Sequence, residues 1–334
     1  VSNDVGTPIE GAVVEAIGPM GRISTTTDAS GRFRFPRLAL GGYTVSVDFK
    51  GLMSAQTEAQ VILGQATTIG FILQQGRFTE EIAVYSDTVA IDFSESQTET
   101  SIRRWAIDNL PRGRDYTSVV GYAAGAREDN QAGGITVDGA SGLENRYVID
   151  GIDTTDPQIG VAGIPMRAEM IEEVQVKSAG YAAEYGGALG GVINAVTRTG
   201  SNEFHGSVFV DIEDNNWNGE AREEIEYSLD YLTADLVTYE KDDETRYDPG
   251  FVLGGPIWRD RLWFFASYQP GFRTTKRSVE WVSYPADTYQ QDFRVDYASL
   301  NLTSNIGSAL LLKAGINISP YTFDGLLPNP DGRT

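Results

Sequence analysis

Residues 144–206 read ENRYVIDGIDTTDPQIGVAGIPMRAEMIEEVQVKSAGYAAEYGGALGGVINAVTRTGSNEFHG, and the fold turns on how that stretch is understood. EEVQVKSA (172–179) and GGVINAVTRT (190–199) are short runs rich in β-branched residues, with the length and composition of strands. A glycine-rich connection, 185–191, separates them. Gly186, Gly187, Gly190 and Gly191 permit positive φ and close approach of one segment to another, which suits a compact turn packed on a second surface. A phosphate-cradling loop is the rival, but YGGALGGVIN has neither the GxGxxG spacing nor the Lys-Ser/Thr pair of a nucleotide loop.

The neighbouring acidic residues invite two chemical readings. Asp138, Asp150, Asp153 and Asp156 cluster as in a calcium loop, yet the DxDxDG order with its closing Glu is missing. Asx-type turns account for the DG steps, Gly151 included, and for TDP. Glu172 and Glu173 suggest a catalytic pair, but neighbours on a strand face opposite ways and are not expected to converge on one bond. Upstream, IRRWAIDNLPRGRDYTSVVGYAAG (102–125) puts Trp105, Ile107 and Leu110 on one short helical face stopped by Pro111, with a second helix around 116–122.

From residue 1 to about 75, strand-like runs (GAVVEAIG, STTTDASGRFRFPRL, GGYTVSVDFKG, AQVILGQATTIGFIL) alternate with glycine turns at the even spacing of a small β-sandwich. Phe33 and Phe35 point one way and Arg32 and Arg34 the other, as on a half-buried strand. Residues 76–101 turn polar and read as an extended linker whose strand-like island is EEIAVYS.

After residue 200 the pattern changes. FHGSVFVDIED, DPGFVLGGPI, RLWFFASYQPGF, SVEWVSYP, QDFRVDYASLNLT and ALLLKAGINIS each have roughly the ten-residue length of a transmembrane strand. Leu310, Leu312, Ala314, Ile316 and Ile318 make one face wholly apolar, while Leu311, Lys313, Gly315, Asn317 and Ser319 make the other mostly polar, the division expected between lipid and a wet lumen. Trp258, Trp263, Phe264, Phe265, Tyr268, Trp281, Tyr284 and Tyr289 supply an interfacial aromatic girdle. The acidic segment 213–248 suits a long loop between the first two strands, with room for a short helix.

Composition narrows the function. Lys plus Arg is 26 against 47 Asp plus Glu, a net charge of −21, which argues against nucleic-acid binding. Cysteine is absent and His205 is the single histidine, so disulfides, thiolate metal sites and a Ser-His triad are not expected. No GxSxG or paired-acid geometry supports a hydrolase. No apolar run of about 18 residues spans a membrane as a helix, but barrel strands carry half an apolar face and hardly register by that measure.

Over about sixty consecutive positions, the stretch 144–206 resembles the second half of the plug domain of TonB-dependent outer-membrane receptors, in their Oar-like branch. LPRGRDYT (110–117) resembles the plug's start, with GYAAGA where many relatives carry Pro-Gly-Val. TPIEGAVVEA, TDASGRFRFPRL and GGYTVSVDFKG, in that order, are similar to the carboxypeptidase regulatory-like domain, a non-catalytic, seven-strand transthyretin-type sandwich. FVLGGPIWRDRLWFFASYQ resembles a barrel hairpin of the same branch, with Arg259 and Asp260 as its periplasmic turn.

The resemblance implies a mainly β chain: a transthyretin-like β-sandwich (1–75), a linker (76–101), an α+β plug domain (102–203) and the first strands of a transmembrane antiparallel β-barrel (204–334), of 22 strands in the family. It implies energised uptake or export of an unidentified substrate at the Gram-negative outer membrane, with the N-terminal domain in the periplasm and no cofactor or catalysis. The implied partners are TonB with its inner-membrane energising complex, outer-membrane lipid, and a lipoprotein or other outer-membrane protein. Thr79, Glu80, Glu81, Ile82, Ala83, Val84 and Tyr85 stand where the family has its TonB box; 82–85 also reads as the first plug strand. Arg103, Arg112, Arg114, Arg127, Arg146 and Arg198 stand where related plugs face the barrel wall, or else belong to a solvated surface. About 130 residues follow the plug, enough for about six strands, so the sequence is expected to be the N-terminal portion of a longer protein. The competing reading is a multi-module β-sandwich surface adhesion protein without transport.

Overall fold

The computed structural model describes residues 1–74, 98–129, 133–181, 185–219, 223–227, 233–238, 240–279, 287–306 and 310–329. They fall into two units: Val1–His205 with Gly254–Phe265 and Asn301–Gly315, and Gly206–Leu253 with Ala266–Leu300 and Ile316–Thr334.

The first module is an antiparallel sheet in the order Gly21–Thr26, Val13–Gly18, Gly41–Asp48, Ala55–Val61, joined by a parallel pairing of Ser2–Asn3 with Ile72–Leu73. Side-chain alternation decides what is inside. Val14, Ala16, Tyr43, Val45 and Val47 are buried, whereas Val13 and Ile17 on the same strand as Val14 are 48% and 42% exposed. Each buried valine contributes about 1.5–3 kcal/mol. Six strands form among the described residues where seven are expected, because 31–38 is not a strand. Phe33 and Phe35 do turn toward the core, but Pro36 has no N–H to offer a ladder.

The plug is a mixed sheet in the order Ile152–Asp153, Arg146–Ile149, Val192–Thr197, Ile171–Ala179, Thr98–Arg103. Arg146–Ile149 runs parallel to Val192–Thr197, and the other pairings are antiparallel. Its edge strand Thr98–Arg103 begins inside the stretch expected as linker. Val174, Val176, Ile193 and Ala195 are buried, as are Tyr116, Val119 and Val120 of the 3-10 helix Tyr116–Tyr122. In the short helix Arg104–Asn109, Ile107 is buried but Trp105 is 77% exposed. Residues two positions apart on a helix are separated by about 200° around its axis, so the expected common face of Trp105 and Ile107 does not exist.

Past residue 204 the chain forms one sheet in the order His205–Asp214, Asp243–Trp258, Leu262–Val279, Asp287–Ile306, Leu310–Ile318, with Tyr321–Asp324 also paired to Asp287–Ile306. Three of these strands have 16, 18 and 20 residues, not the expected ten, since backbone pairing continues past the length that hydrocarbon requires. Of SVEWVSYP, Ser278 and Val279 end Leu262–Val279, and the rest falls in 280–286, outside the described residues. Within 213–248 the chain makes a 3-10 turn, Asn215–Trp217, and an antiparallel hairpin of Glu224–Tyr227 with Ala234–Val237. Asp260, at φ 62°, closes the tight turn between Trp258 and Leu262.

The faces of this sheet are inverted relative to a water-soluble protein. Ser267, Gln269, Thr275, Ser299, Asn301 and Thr303 are buried, whereas Val208, Val210, Ile212, Leu300 and Leu302 are exposed, Val208 at 85%. The same parity corrects the aromatic girdle. Trp263 and Phe265 are fully buried on the polar face, whereas Phe264 and Tyr268 have the opposite parity and Trp258 is 62% exposed; Trp281 and Tyr284 lie outside the described residues.

A Cβ on Gly191 would lie 2.8–2.9 Å from three side-chain atoms of Val137, itself 1% exposed. Gly191→Ala is expected to destabilise the plug by about 1–3 kcal/mol, with partial recovery when Val137→Ala is added. Denaturant unfolding of the full-length receptor variants checks this, and an unchanged midpoint for the single variant would contradict it.

Candidate functional site

The plug loops are held by one buried amide. Asn145, 4% exposed, accepts from the Gly191 N–H at 2.8 Å and donates Nδ2 to the carbonyls of Ile135 and Gly142. A Cβ on Gly190 would come within 2.6 Å of the Asn145 Oδ1, so this glycine serves close approach. Gly187 and Gly151 take positive φ, +95° and +83°. Gly186 does not; its carbonyl accepts from Arg146 Nη1 at 2.6 Å. Asp138 with Gly139 and Asp150 with Gly151 have positive φ at both residues, as a type I′ turn requires. Asp153 and Asp156 accept from backbone N–H groups two residues on, at 3.0 and 2.8 Å. The four aspartates are thus accounted for as turn formers.

The arginines divide by where their partners lie. Arg112 pairs with Glu169 at 2.6 Å and donates to the Ile107 carbonyl, and Arg146 pairs with Asp153 at 3.0 Å, both within the plug. The Arg114 carbonyl accepts from Ala168, Arg127 lies exposed on the short strand Ala126–Glu128, and Arg103 lines a cavity described below. Arg198 reaches residues beyond 204. Its guanidinium lies 4.8 Å over the Phe265 ring, its carbonyl accepts from Asn301 Nδ2 at 3.0 Å, and Glu172 is 3.9 Å away. Burial, and then the nearby Arg104, lower its pKa from the ordinary 12.5.

Around Arg198 runs a seam that sequence inspection missed. Lys313 Nζ meets Asp150 Oδ1 at 3.0 Å, on a carboxylate that also accepts from the Thr197 N–H. Asn202 Oδ1 accepts from Trp263 Nε1 at 2.8 Å and from the Asp260 N–H at 2.9 Å. At Gly200 a Cβ would stand 2.3 Å from the Phe264 carbonyl and 2.8 Å from that of Gly255, so backbone lies directly on backbone. The Lys313–Asp150 side chains remain about one-third exposed, and pairs of that kind are worth at most about 1 kcal/mol; they set position more than they add stability. Two further unanticipated arginines brace the plug: Arg104 donates to the carbonyls of Ala168 and Ile171, and Arg167, fully buried, stands 3.3 Å from Asp115.

Glu172 and Glu173 do not converge. A register shift between Ile171 and Glu173 interrupts the ladder there, and both residues line one cavity of about 480 Å³ with Gly41, Gln60, Arg103 and Trp105. They do not act on each other as a pair: Glu173 accepts from the Leu63 N–H at 3.4 Å, while Glu172 faces Arg198. Burial pushes both carboxyls above the ordinary 4.5. The TonB-box candidate, 79–85, lies outside the described residues.

Three family models match the chain in succession: carboxypeptidase regulatory-like domain over 1–74, TonB-dependent receptor plug domain over 93–192, and outer membrane beta barrel domain over 196–322. With a plug sheet leading into strands of inverted polarity, the chain belongs to the TonB-dependent receptors of the outer membrane. Within that class it is Oar-like: it is 33% identical over 277 residues to the TonB-dependent transporter Oar of Myxococcus xanthus, covering 79% of this chain and 25% of that protein. The chain thus spans about a quarter of the relative's length. The outer membrane transporter YddB of Escherichia coli superposes with a TM-score of 0.54 at 16% identity, covering 68% of this chain and 33% of that one, a likeness of fold.

Glu172 and Glu173, raised in the folded state, hold protons that the unfolded chain has released. Stability is therefore expected to fall as pH rises from about 4.5 through their folded-state values. Asp153, held low chiefly by the Thr155 amide, acts in the opposite sense and below 3.8, so the windows are separate. Melting of the full-length receptor against pH checks this: Glu173→Gln is expected to flatten the slope above 4.5, and an unchanged slope would contradict it.

Proposed function

We propose that the chain is the N-terminal part of a TonB-dependent outer-membrane transporter, moving a substrate not yet identified through a barrel obstructed by the plug. The observation that carries this reading is the inverted polarity of the strands past 204, joined to a compact plug through the Arg198–Gly200 crossing. An exposed apolar face and a buried polar one suit a wall with lipid outside and a wet, plugged interior. Its Myxococcus xanthus relative, the TonB-dependent transporter Oar, points to the same activity. The role is passage of a molecule and not catalysis.

In this account the sandwich (1–75) and the tight turn at Asp260 face the periplasm, 76–101 carries the box, and the acidic segment 213–248 lies outside the cell. Substrate arriving from outside shifts the 79–85 segment toward exposure, and TonB captures it by strand addition. A pull from the inner-membrane energising complex then loosens the plug, which couples two sites through one two-state element. Arg198 anchors the plug to the wall through Phe265, and Arg103, Arg112, Arg114, Arg127 and Arg146 complete the charged surface of the plug. Outer-membrane lipid surrounds the barrel, and a lipoprotein or other outer-membrane protein is a further partner.

Val84→Pro in the full-length receptor removes an N–H that strand addition needs. Energised uptake is expected to be lost while surface binding of the substrate persists. Unchanged uptake would remove 79–85 as the box.

A further inference from the structure

One face of the plug sheet is polar, and it is buried. Cross-strand neighbours on it are Glu99 with Lys177, Ser101 with Gln175, and Arg103 with Glu173. Glu173, Gln175 and Lys177 are 2%, 0% and 3% exposed, although such residues ordinarily face water. The loop that follows the sandwich strand Ala55–Val61 lies on Glu173 and Gln175 and reaches Glu99, the partner of Lys177, whose Nζ also stands 5.1 Å over the Tyr185 ring of the plug. Gln175 Nε2 donates to the Leu63 carbonyl at 2.9 Å, the Leu63 N–H donates to the Glu173 carboxylate at 3.4 Å, and Gln65 Nε2 donates to Glu99 Oε1 at 2.7 Å. The other Glu99 oxygen accepts from Lys177 Nζ and from Gln175 Nε2, each at 3.0 Å.

This interface gains little from being shut. Burying charges and amides costs about what their pairing returns, and small polar contacts between domains are those that open. The pairing is also incomplete, since Gln175 Oε1 is buried with no hydrogen-bond partner. It regains water when the loop lifts.

We propose that the N-terminal sandwich is a reversible latch on the plug. With the 63–65 loop seated, the face bearing Glu99, Gln175 and Lys177 is sealed; with it lifted, that face is wet while the plug sheet itself stays folded. The latch rests on the transport reading only for what would lift it.

Gln65 is exposed and holds the latch through Glu99, so its charge can be changed with little risk to the fold. In purified full-length receptor, with no TonB present, the rate of acylation of Lys177 by an amine-reactive ester, read by peptide mass spectrometry, reports opening. Gln65→Glu sets a carboxylate against Glu99 and is expected to raise that rate; Gln65→Arg is expected to lower it. The two variants should differ by about tenfold, with the wild-type chain between them and melting temperatures unchanged. Equal rates in all three proteins, or a Lys177 that reacts only on global unfolding, would overturn the latch. Val84→Pro leaves 63–65 and Glu99 untouched, so a failed box and a failed latch give different results.

Discussion

A peptide strand shows its side chains to two sides in strict alternation, and past residue 204 this chain uses that repeat in reverse. The even positions of His205–Asp214 and the leucines at 300 and 302 face outward, while the serines, glutamine, asparagine and threonines of the neighbouring register turn inward and are buried. In water such a sheet would hide its polar atoms and display its apolar ones, at a cost of several kcal/mol for each buried group left unbonded. In a bilayer the same arrangement satisfies both surroundings, and backbone pairing between strands leaves few groups for the lipid to meet.

Three backbone devices deliver the plug to the wall within a few residues. The register shift at Glu172 interrupts the ladder at the start of one plug strand, Gly200 allows main chain to lie on main chain, and Asn202 caps both the Asp260 turn and the Trp263 indole. Charged contacts such as Lys313 with Asp150 then select a position. Beneath the sandwich the plug's buried face is polar and its contacts nearly balanced, whereas the cores around Val45 and Ile193 are apolar.

Much of this was legible in the residues. The β-branched runs at 172–179 and 190–199 became neighbouring strands, the DG steps became turns, and Lys313, from the polar face expected of 310–318, meets Asp150, although both faces of that strand are largely exposed. Failures occurred where one local rule was extended past its range. Alternation at Phe33 and Phe35 indicated which side chains turn inward but could not show whether the backbone pairs, and Pro36 decided that. Trp105 and Ile107 were grouped by hydrophobicity although helical geometry sets them apart. Trp263 and Phe265 were counted with a lipid-facing girdle although their parity places them on the polar face. The seam and the latch were not legible, because Asp150 with Lys313 and Gln65 with Glu99 are brought together only by tertiary structure. The one local hint was the polar series Glu173, Gln175 and Lys177 within an otherwise β-branched run.

Spin labels can separate lipid from water directly. In full-length receptor reconstituted into bilayers, labels at Val208, Val210, Leu300 and Leu302 are expected to be relaxed by oxygen, which concentrates in lipid, and shielded from a water-soluble nickel chelate. Labels at Gln269, Ser299 and Thr303 should escape oxygen. If the first four positions respond to the chelate as soluble surface does, with no alternation along the strand, the wall does not exist and the transporter account goes with it.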